Sequence, residues 1–186
     1  RSTFTNWWWL DNYLIILKEW GVYIMENVDL KEGMKAPEFS LMGSDNKEHS
    51  LKQYSGKKVI LYFYPKDNTK GWTDEAISFR DNMKDLNNNT VVLGISRDSI
   101  SSHEKFAAKY DLPFILLSDV DSVVCNLYGV LKEKNMYGKK SIGIERSTFI
   151  IDENGNIEKI YRKVKVDGHV EEILKYLNSE EWIGKK

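Results

Sequence analysis

The sequence has few of the residues on which metal and disulfide chemistry depend. It contains one cysteine, Cys125, so an intramolecular disulfide and a metal site built on paired thiolates are both excluded. The three histidines, His49, His103 and His169, lie far apart, and none belongs to a ligand spacing such as His-Glu-x-x-His. We therefore expect no metal and no cofactor, and we interpret the three histidines as ordinary surface residues.

An excess of charge of one sign is also lacking. The 27 Lys and Arg residues are balanced by 28 Asp and Glu, and the signs are interspersed. The sequence therefore has no basic stripe that could hold a phosphate backbone, and we expect no nucleic-acid partner.

The 41% hydrophobic content of the 186 residues is enough for one domain with a sizeable core. The single cysteine is typical of a reducing cytoplasm, where we expect the protein to reside.

Long apolar runs are missing from the N-terminal part of the chain. The run at residues 13–17 is much shorter than the ~20 residues that cross a bilayer, and we expect no membrane span. Residues 1–24 are rich in tryptophan, which favours the membrane boundary, so an interfacial anchor stays open. We interpret residues 1–24 as an extension outside the domain, either a misplaced translation start, a cloning remnant or a non-native leader, and residues 25–186 as the single domain.

Strand and helix patterns alternate through the rest of the chain. Strands are predicted at residues 58–64, 90–96, 113–117, 147–151 and 157–162, and helices from Thr73 to about residues 87–89 and at 101–110, 122–128 and 170–177. The first helix has Thr73 as its predicted N-cap, with Asp74 and Glu75 in the first turn. Between the last two strands, Asn154-Gly155 favours a hairpin with a type I′ turn. This alternation predicts an α/β fold with parallel strands.

Residues 62–81 are the most informative segment. They read Tyr-Phe-Tyr-Pro-Lys-Asp-Asn-Thr-Lys-Gly-Trp-Thr-Asp-Glu-Ala-Ile-Ser-Phe-Arg-Asp. The segment resembles the active-site strand, loop and helix of peroxiredoxins of the bacterioferritin comigratory protein or peroxiredoxin Q group, in which Pro-x-x-x-Thr-x-x-Cys is often followed by a second Cys five residues later. Further matching segments lie at residues 36–41, 116–119, 136–140 and 146–152. The resemblance covers about residues 30–178 and implies a thioredoxin-like α/β fold with a central mixed sheet flanked by helices.

The resemblance also implies roles for three residues. Pro65 would shape the loop and shield the reactive sulfur, Thr69 would hold the peroxide oxygen, and Arg146 would polarise that oxygen and stabilise a thiolate. Taken singly, Pro65 could end a strand, Thr69 could be a turn residue and Arg146 could pair with a carboxylate. The family partners are a hydroperoxide and thioredoxin, and the family assembly is a monomer or a homodimer.

The two cysteine positions of the family pattern hold other residues. Trp72 occupies the peroxidatic position and Ile77 the resolving position. A thiolate is the nucleophile in this chemistry, whereas an indole offers one N–H donor and no cycle through sulfenic acid. Lys70 stands where the family usually has proline, which loosens the loop. Cys125 lies among apolar residues at helical spacing, and we interpret it as a structural thiol.

Three hypotheses follow. In the first, the protein has the peroxiredoxin fold but has lost thiol peroxidase activity, with Trp72 filling the former peroxide pocket. In the second, the natural protein is an active thioredoxin-dependent hydroperoxide reductase and the sequence carries cysteine substitutions or reading errors. In the third, the chain is a binding or chaperone module that docks a partner through an exposed Trp72 indole.

Overall fold

Twelve strands and four α-helices make up the described part of the chain. The computed structural model describes the backbone of residues 6–10, 13–18, 21–25 and 29–183, and the side chains of residues 29–179. The strands are β1 (Asn6–Leu10), β2 (Tyr13–Lys18), β3 (Gly21–Met25), β4 (Ser40–Met42), β5 (Glu48–Ser50), β6 (Lys58–Phe63), β7 (Thr90–Ser96), β8 (Ile115–Ser118), β9 (Leu131–Met136), β10 (Lys139–Ile144), β11 (Ser147–Ile151) and β12 (Ile157–Arg162). The helices are α1 (Lys70–Asn82), α2 (Ile100–Lys109), α3 (Val123–Leu127) and α4 (His169–Ile183), and short 3₁₀ helices lie at Leu51–Tyr54 and Met83–Asp85.

Five strands form the central sheet, in the order β12-β11-β6-β7-β8. The pairs β6–β7 and β7–β8 are parallel, whereas β11 runs antiparallel to both β6 and β12. The predicted α/β architecture with a mixed central sheet is therefore confirmed.

Strand β6 is buried on both faces of the central sheet, and its residues after Lys58 are all apolar or aromatic. Alternate β6 residues enter two separate core clusters. Val59, Leu61 and Phe63 lie on one face, and Ile60, Tyr62 and, directly after the strand, Tyr64 lie on the other. Helices α1, α2 and α4 pack on the second face, and α3 contributes to the first. The end of β6 thus delivers the chain directly to α1 on the helix-rich face.

Helix α1 begins earlier than predicted. Its N-cap is Thr69, not Thr73, because the Thr73 N–H already bonds the Thr69 carbonyl at 2.9 Å. Asn68 takes a left-handed conformation (φ 59°), which turns the chain so that the helix can start at Lys70. The helix ends at Asn82, before the predicted end at residues 87–89.

The hairpin β11–β12 is confirmed, but its predicted type I′ turn is wrong. Only Gly155 has a positive φ (83°), whereas a type I′ turn needs positive φ at both central residues. The Asp152 carboxylate instead accepts the N–H groups of Asn154 and Asn156, each at 2.9 Å. Five residues therefore connect the strands, and the register shifts at Ile150/Ile151.

Three further sheets were not predicted from the sequence. Strands β4 and β5 pair antiparallel, and strands β9 and β10 form an exposed hairpin. Strands β1, β2 and β3 form an antiparallel sheet within residues 1–25. The aromatic side chains on which the possible interfacial anchor was based lie outside the described side chains. The boundary between an extension and a domain stays a prediction. None of the helices in the described ranges has the length and apolar character to cross a membrane.

Candidate active site

The loop between β6 and α1 brings the predicted site residues to the first turn of a helix. Pro65 and Thr69 are half-buried, and position 72 is the third residue of α1. The N–H groups of the first three helical residues have no intrahelical partner, and the positive end of the helix dipole lies there. The structure therefore places position 72 at a helix start suited to a negative charge.

The Trp72 side chain is packed among other aromatic side chains. Its side chain is 0% exposed, and its ring is stacked on that of Tyr64 with centroids 3.8 Å apart and an interplanar angle of 10°. The Tyr62 ring lies 5.1 Å away in a second stacked arrangement, and Phe114 meets the indole edge-on. The indole Nε1 is buried without a hydrogen-bond partner among the described residues. The hypothesis of an exposed, partner-docking indole is wrong, because aromatic side chains cover the ring.

Arg146 lies against the same helix turn. It follows the exposed hairpin β9–β10 and immediately precedes β11. A Cβ atom on Gly71 would lie only 2.7 Å from Arg146 Nη2, so the guanidinium reaches its position because residue 71 is glycine. The structure thus brings Arg146 to the helix turn that holds position 72, although the two positions are 74 residues apart in the sequence.

The Glu75 carboxyl group lies next to Arg146, a contact that was not predicted from the sequence. We predicted an ordinary first-turn carboxylate, but the side chain is buried, with Oε2 3.6 Å from Arg146 Nη1. Burial raises the pKa of Glu75 to about 8, although the Arg146 charge lowers it relative to burial alone. Asp74 is instead exposed and pairs with Lys70 at 2.9 Å. Arg146 therefore faces a carboxyl group that is largely protonated at neutral pH.

Thr69 and Pro65 lie in the loop before α1, and Ile77 lies on that helix. The Thr69 hydroxyl donates to the Lys66 carbonyl at 3.0 Å within its own loop. Ile77 is half-buried on α1, five residues beyond Trp72. The contacts of Arg146 with Gly71 and Glu75 are direct, whereas Thr69 is held by its own loop.

Cys125 is remote from this site. It is buried in the core cluster on the opposite face of the central sheet from Trp72. Burial, and next the neighbouring Asp119, raise the pKa of the thiol far above its usual value. A thiol in this state is a poor nucleophile, which agrees with the structural role expected for it.

The three histidines are buried, and the prediction that they lie on the surface is wrong. Their exposed fractions are 5% for His49, 0% for His103 and 2% for His169. Each ring has hydrogen-bonding partners, namely Asp45 and Tyr54 for His49, Asp67 and Leu117 for His103, and Thr148 for His169. A histidine buried with such partners has no signal in sequence spacing.

One of these histidines lies in a group that could in principle hold a metal ion. Ligand atoms of Asp67, Asp98 and His103 all lie within 4.8 Å of one another. His103 Nδ1 is, however, at hydrogen-bond distance from Asp67 Oδ2, 2.7 Å, and the Asp98 carboxylate accepts the Ser96 hydroxyl at 2.6 Å. These groups satisfy one another, and we assign them no metal.

The sequence is similar to that of bacterial peroxiredoxins. A model of the AhpC/TSA family matches residues 33–160. The putative peroxiredoxin bcp of Coxiella burnetii is 53% identical over 148 residues, which cover 79% of this chain and 98% of the relative. Peroxiredoxin Bcp of Bacillus subtilis is 45% identical over 146 residues, covering 78% of this chain and 93% of the relative.

Solved structures show the same likeness. A cysteine-to-serine mutant of PrxQ from Xylella fastidiosa superposes with a TM-score of 0.78 at 40% identity, over 82% of this chain and 98% of that chain. Peroxiredoxin Q of Xanthomonas campestris gives a TM-score of 0.73 at 41% identity, over 76% and 90% of the two chains. The thioredoxin-like fold of peroxiredoxin type is thereby confirmed. The chain belongs to the AhpC/TSA family and, within it, to the peroxiredoxins of the Bcp, or peroxiredoxin Q, group.

Proposed function

We propose that this peroxiredoxin has lost thiol peroxidase activity because Trp72 occupies the position of the peroxidatic cysteine. The observation that carries the proposal is the complete burial of Trp72 in the first turn of α1, beside Arg146. In the family reaction a thiolate attacks the O–O bond, becomes a sulfenic acid and releases an alcohol or water. An indole at that position has no sulfur to oxidise.

The surroundings of position 72 support this proposal. The helix start offers free N–H groups, and Arg146 supplies a positive charge. Thr69 and Pro65 hold their motif positions in the preceding loop. We propose that these residues once bound the hydroperoxide, and that thioredoxin in a reducing cytoplasm was the reductant of the ancestral enzyme, acting as a monomer or homodimer.

No other cysteine can take over the reaction. Ile77 replaces the resolving cysteine, and Cys125 is buried across the sheet with a strongly raised pKa. Loss of both active-site thiols leaves no route to a disulfide within the chain.

The test is hydroperoxide consumption by the unaltered protein with thioredoxin or dithiothreitol as reductant. We expect the rate of buffer alone, and Cys125→Ser should not change it. A rate clearly above background that disappears in Thr69→Val or Arg146→Ala would overturn the proposal, because it would show that the site still works.

The alternative, an active natural enzyme with substituted or misread cysteines, is tested on the gene and the purified protein. Mass spectrometry of the tryptic peptide that contains residue 72 distinguishes tryptophan from cysteine. Cysteine in that peptide, or in the source gene, would favour the alternative, whereas tryptophan in both removes it.

A further inference from the structure

Beneath the loop at residues 65–69 lies a fully buried acid–histidine pair. Asp67 Oδ2 and His103 Nδ1 are 2.7 Å apart, and their side chains are 1% and 0% exposed. Asp67 belongs to the loop before α1, whereas His103 lies on α2, so the contact joins the loop to a second helix. It involves neither Trp72 nor Arg146.

The partners of the His103 ring determine where its protons lie. Nε2 is 3.1 Å from the Leu117 carbonyl, and a carbonyl oxygen can only accept, so Nε2 carries hydrogen. Nδ1 faces Asp67 Oδ2, which accepts when the carboxyl group is ionised. With an ionised Asp67, both ring nitrogens are donors and the ring is an imidazolium.

The surroundings of Asp67 favour the ionised form. The Tyr64 hydroxyl donates to Oδ1 at 2.6 Å, and the Ser102 hydroxyl donates to Oδ2 at 2.8 Å. Burial and then the Asp67 charge hold the pKa of Tyr64 well above its usual value, so this phenol keeps its proton. Two hydroxyl groups thus donate to the carboxyl group in addition to its contact with His103, and such donors favour the ionised form.

Asp98 is the other charged group that faces the pair. Its carboxylate accepts the Asp67 backbone N–H at 2.9 Å and the Ser96 hydroxyl at 2.6 Å. Tyr64, directly after β6, and Ser102 of α2 also contact the pair. The arrangement places the buried ring of His103 beside the buried Asp67 and the half-buried Asp98.

We propose that Asp67 and His103 form a buried carboxylate–imidazolium pair that fixes the loop of residues 65–69 to α2 and so positions Thr69 and the start of α1. Such pairs contribute less to overall stability than to a defined geometry, because burying both charges is unfavourable. The inference is independent of peroxidase activity, since it concerns only the charge and the contacts of this pair.

The first test is nitrogen-15 NMR of the histidine rings in the unaltered protein at about pH 7.5, where an ordinary histidine is mostly neutral. We expect protons on both nitrogens of His103. His169 is an internal reference, because burial lowers the pKa of its ring below the ordinary value and keeps the ring neutral at this pH. A His103 ring without a proton on Nδ1 would overturn the proposal.

Asp67→Asn tests the charge separately from the packing. An asparagine can donate its amide hydrogen to the Nδ1 of a neutral ring, so a neutral pair can replace the charged pair at the same size. We expect His103 to lose its Nδ1 proton in this variant at about pH 7.5. Retention of both ring protons would show that Asp67 does not hold the charge.

Amide hydrogen exchange tests the positioning role. We expect exchange at residues 67–73 to be about tenfold or more faster in His103→Gln and in Asp67→Ala, which removes the carboxyl group and its hydrogen bonds, and unchanged in the buried control His49→Gln. If His103→Gln does not fold, Asp67→Ala still carries the comparison. Unchanged exchange in the folded variants would refute the positioning role, and a shift of the His103 signals with one equivalent of Zn²⁺ would identify a metal site instead.

Discussion

At the scale of single residues, Glu75 has the clearest consequence for stability. Its pKa of about 8 in the folded protein lies above the ordinary value of 4.5, so between these pH values the folded state holds a proton that the unfolded chain has released. Folding stability therefore falls as the pH rises from about 4.5 to about 8. The physical cause is burial of the carboxyl group, which the single nearby charge of Arg146 offsets only in part.

We expect Glu75→Gln to flatten this pH dependence. Between pH 5.5 and 8, the unfolding free energy of the unaltered protein should fall by up to about 3 kcal/mol more than that of the variant. Urea unfolding at both pH values measures the difference, and Glu171→Gln, at an exposed position of α4, is the control. Equal slopes in the unaltered protein and Glu75→Gln would show that Glu75 is not buried as a neutral acid.

The Trp72 side chain contributes mainly packing. Its Nε1 is buried and has no hydrogen-bond partner among the residues that the structure describes, while its ring contacts Tyr62, Tyr64 and Phe114. Trp72→Phe keeps an aromatic ring and removes the unpaired donor, so we expect a loss of no more than about 1–2 kcal/mol. Trp72→Ala leaves a cavity and should cost about 3–5 kcal/mol. Urea unfolding compares the two, and an alanine variant as stable as the phenylalanine variant would contradict the observed packing.

At the scale of secondary structure elements, β7 makes room for this aromatic stack at Gly94. A Cβ atom there would lie 2.8 Å from Leu116 Cδ2 and 3.3 Å from Tyr64 Cε1, both in fully buried side chains. We expect Gly94→Ala to destabilise the protein by about 1–3 kcal/mol through overpacking. Gly143→Ala in β10 is the matched control, because its Cβ would meet only Lys134 at ordinary contact distances of 3.5 Å or more. A thermal unfolding midpoint that falls equally in both variants would contradict this account.

The elements that the sequence predicted well are the apolar ones. Strand β7 has the predicted bounds, residues 90–96, and β11 the predicted 147–151, because continuous apolar and β-branched runs are buried on both faces. The hairpin β9–β10 was missed since its residues are mostly charged or polar and exposed, which leaves no alternating apolar face. The early start of α1 was missed because it depends on the backbone of Asn68, which composition does not reveal.

The candidate site was predictable only where a motif marks it. Trp72 and Arg146 were named from the family pattern, and the structure brings Arg146 to the helix turn of Trp72. Glu75 and His103 were not identified from the sequence, because what distinguishes them is their burial and their contacts with residues in other parts of the fold. Helical position did offer one signal for Glu75, which lies three residues after Trp72 and so shares its side of α1.

At the scale of the whole molecule, both core clusters of the described side chains are built from residues between Leu30 and Ile173. We interpret residues 1–24 as an extension outside the domain, and we therefore expect their removal to change the unfolding free energy by less than about 0.5 kcal/mol. Urea unfolding of the full-length and shortened proteins measures this. A larger loss would show that the sheet β1–β3 is part of the folded domain.

For the whole molecule, we propose that a site arranged for a thiolate persists around a side chain that cannot form one. The measurement that tests it most directly is hydroperoxide consumption with thioredoxin by the unaltered protein, by Trp72→Cys and by Trp72→Cys combined with Ile77→Cys, each confirmed as folded by circular dichroism. We predict the buffer rate for the unaltered protein and turnover clearly above it for the cysteine variants, lost again on Arg146→Ala. Folded cysteine variants that consume no peroxide would contradict the claim.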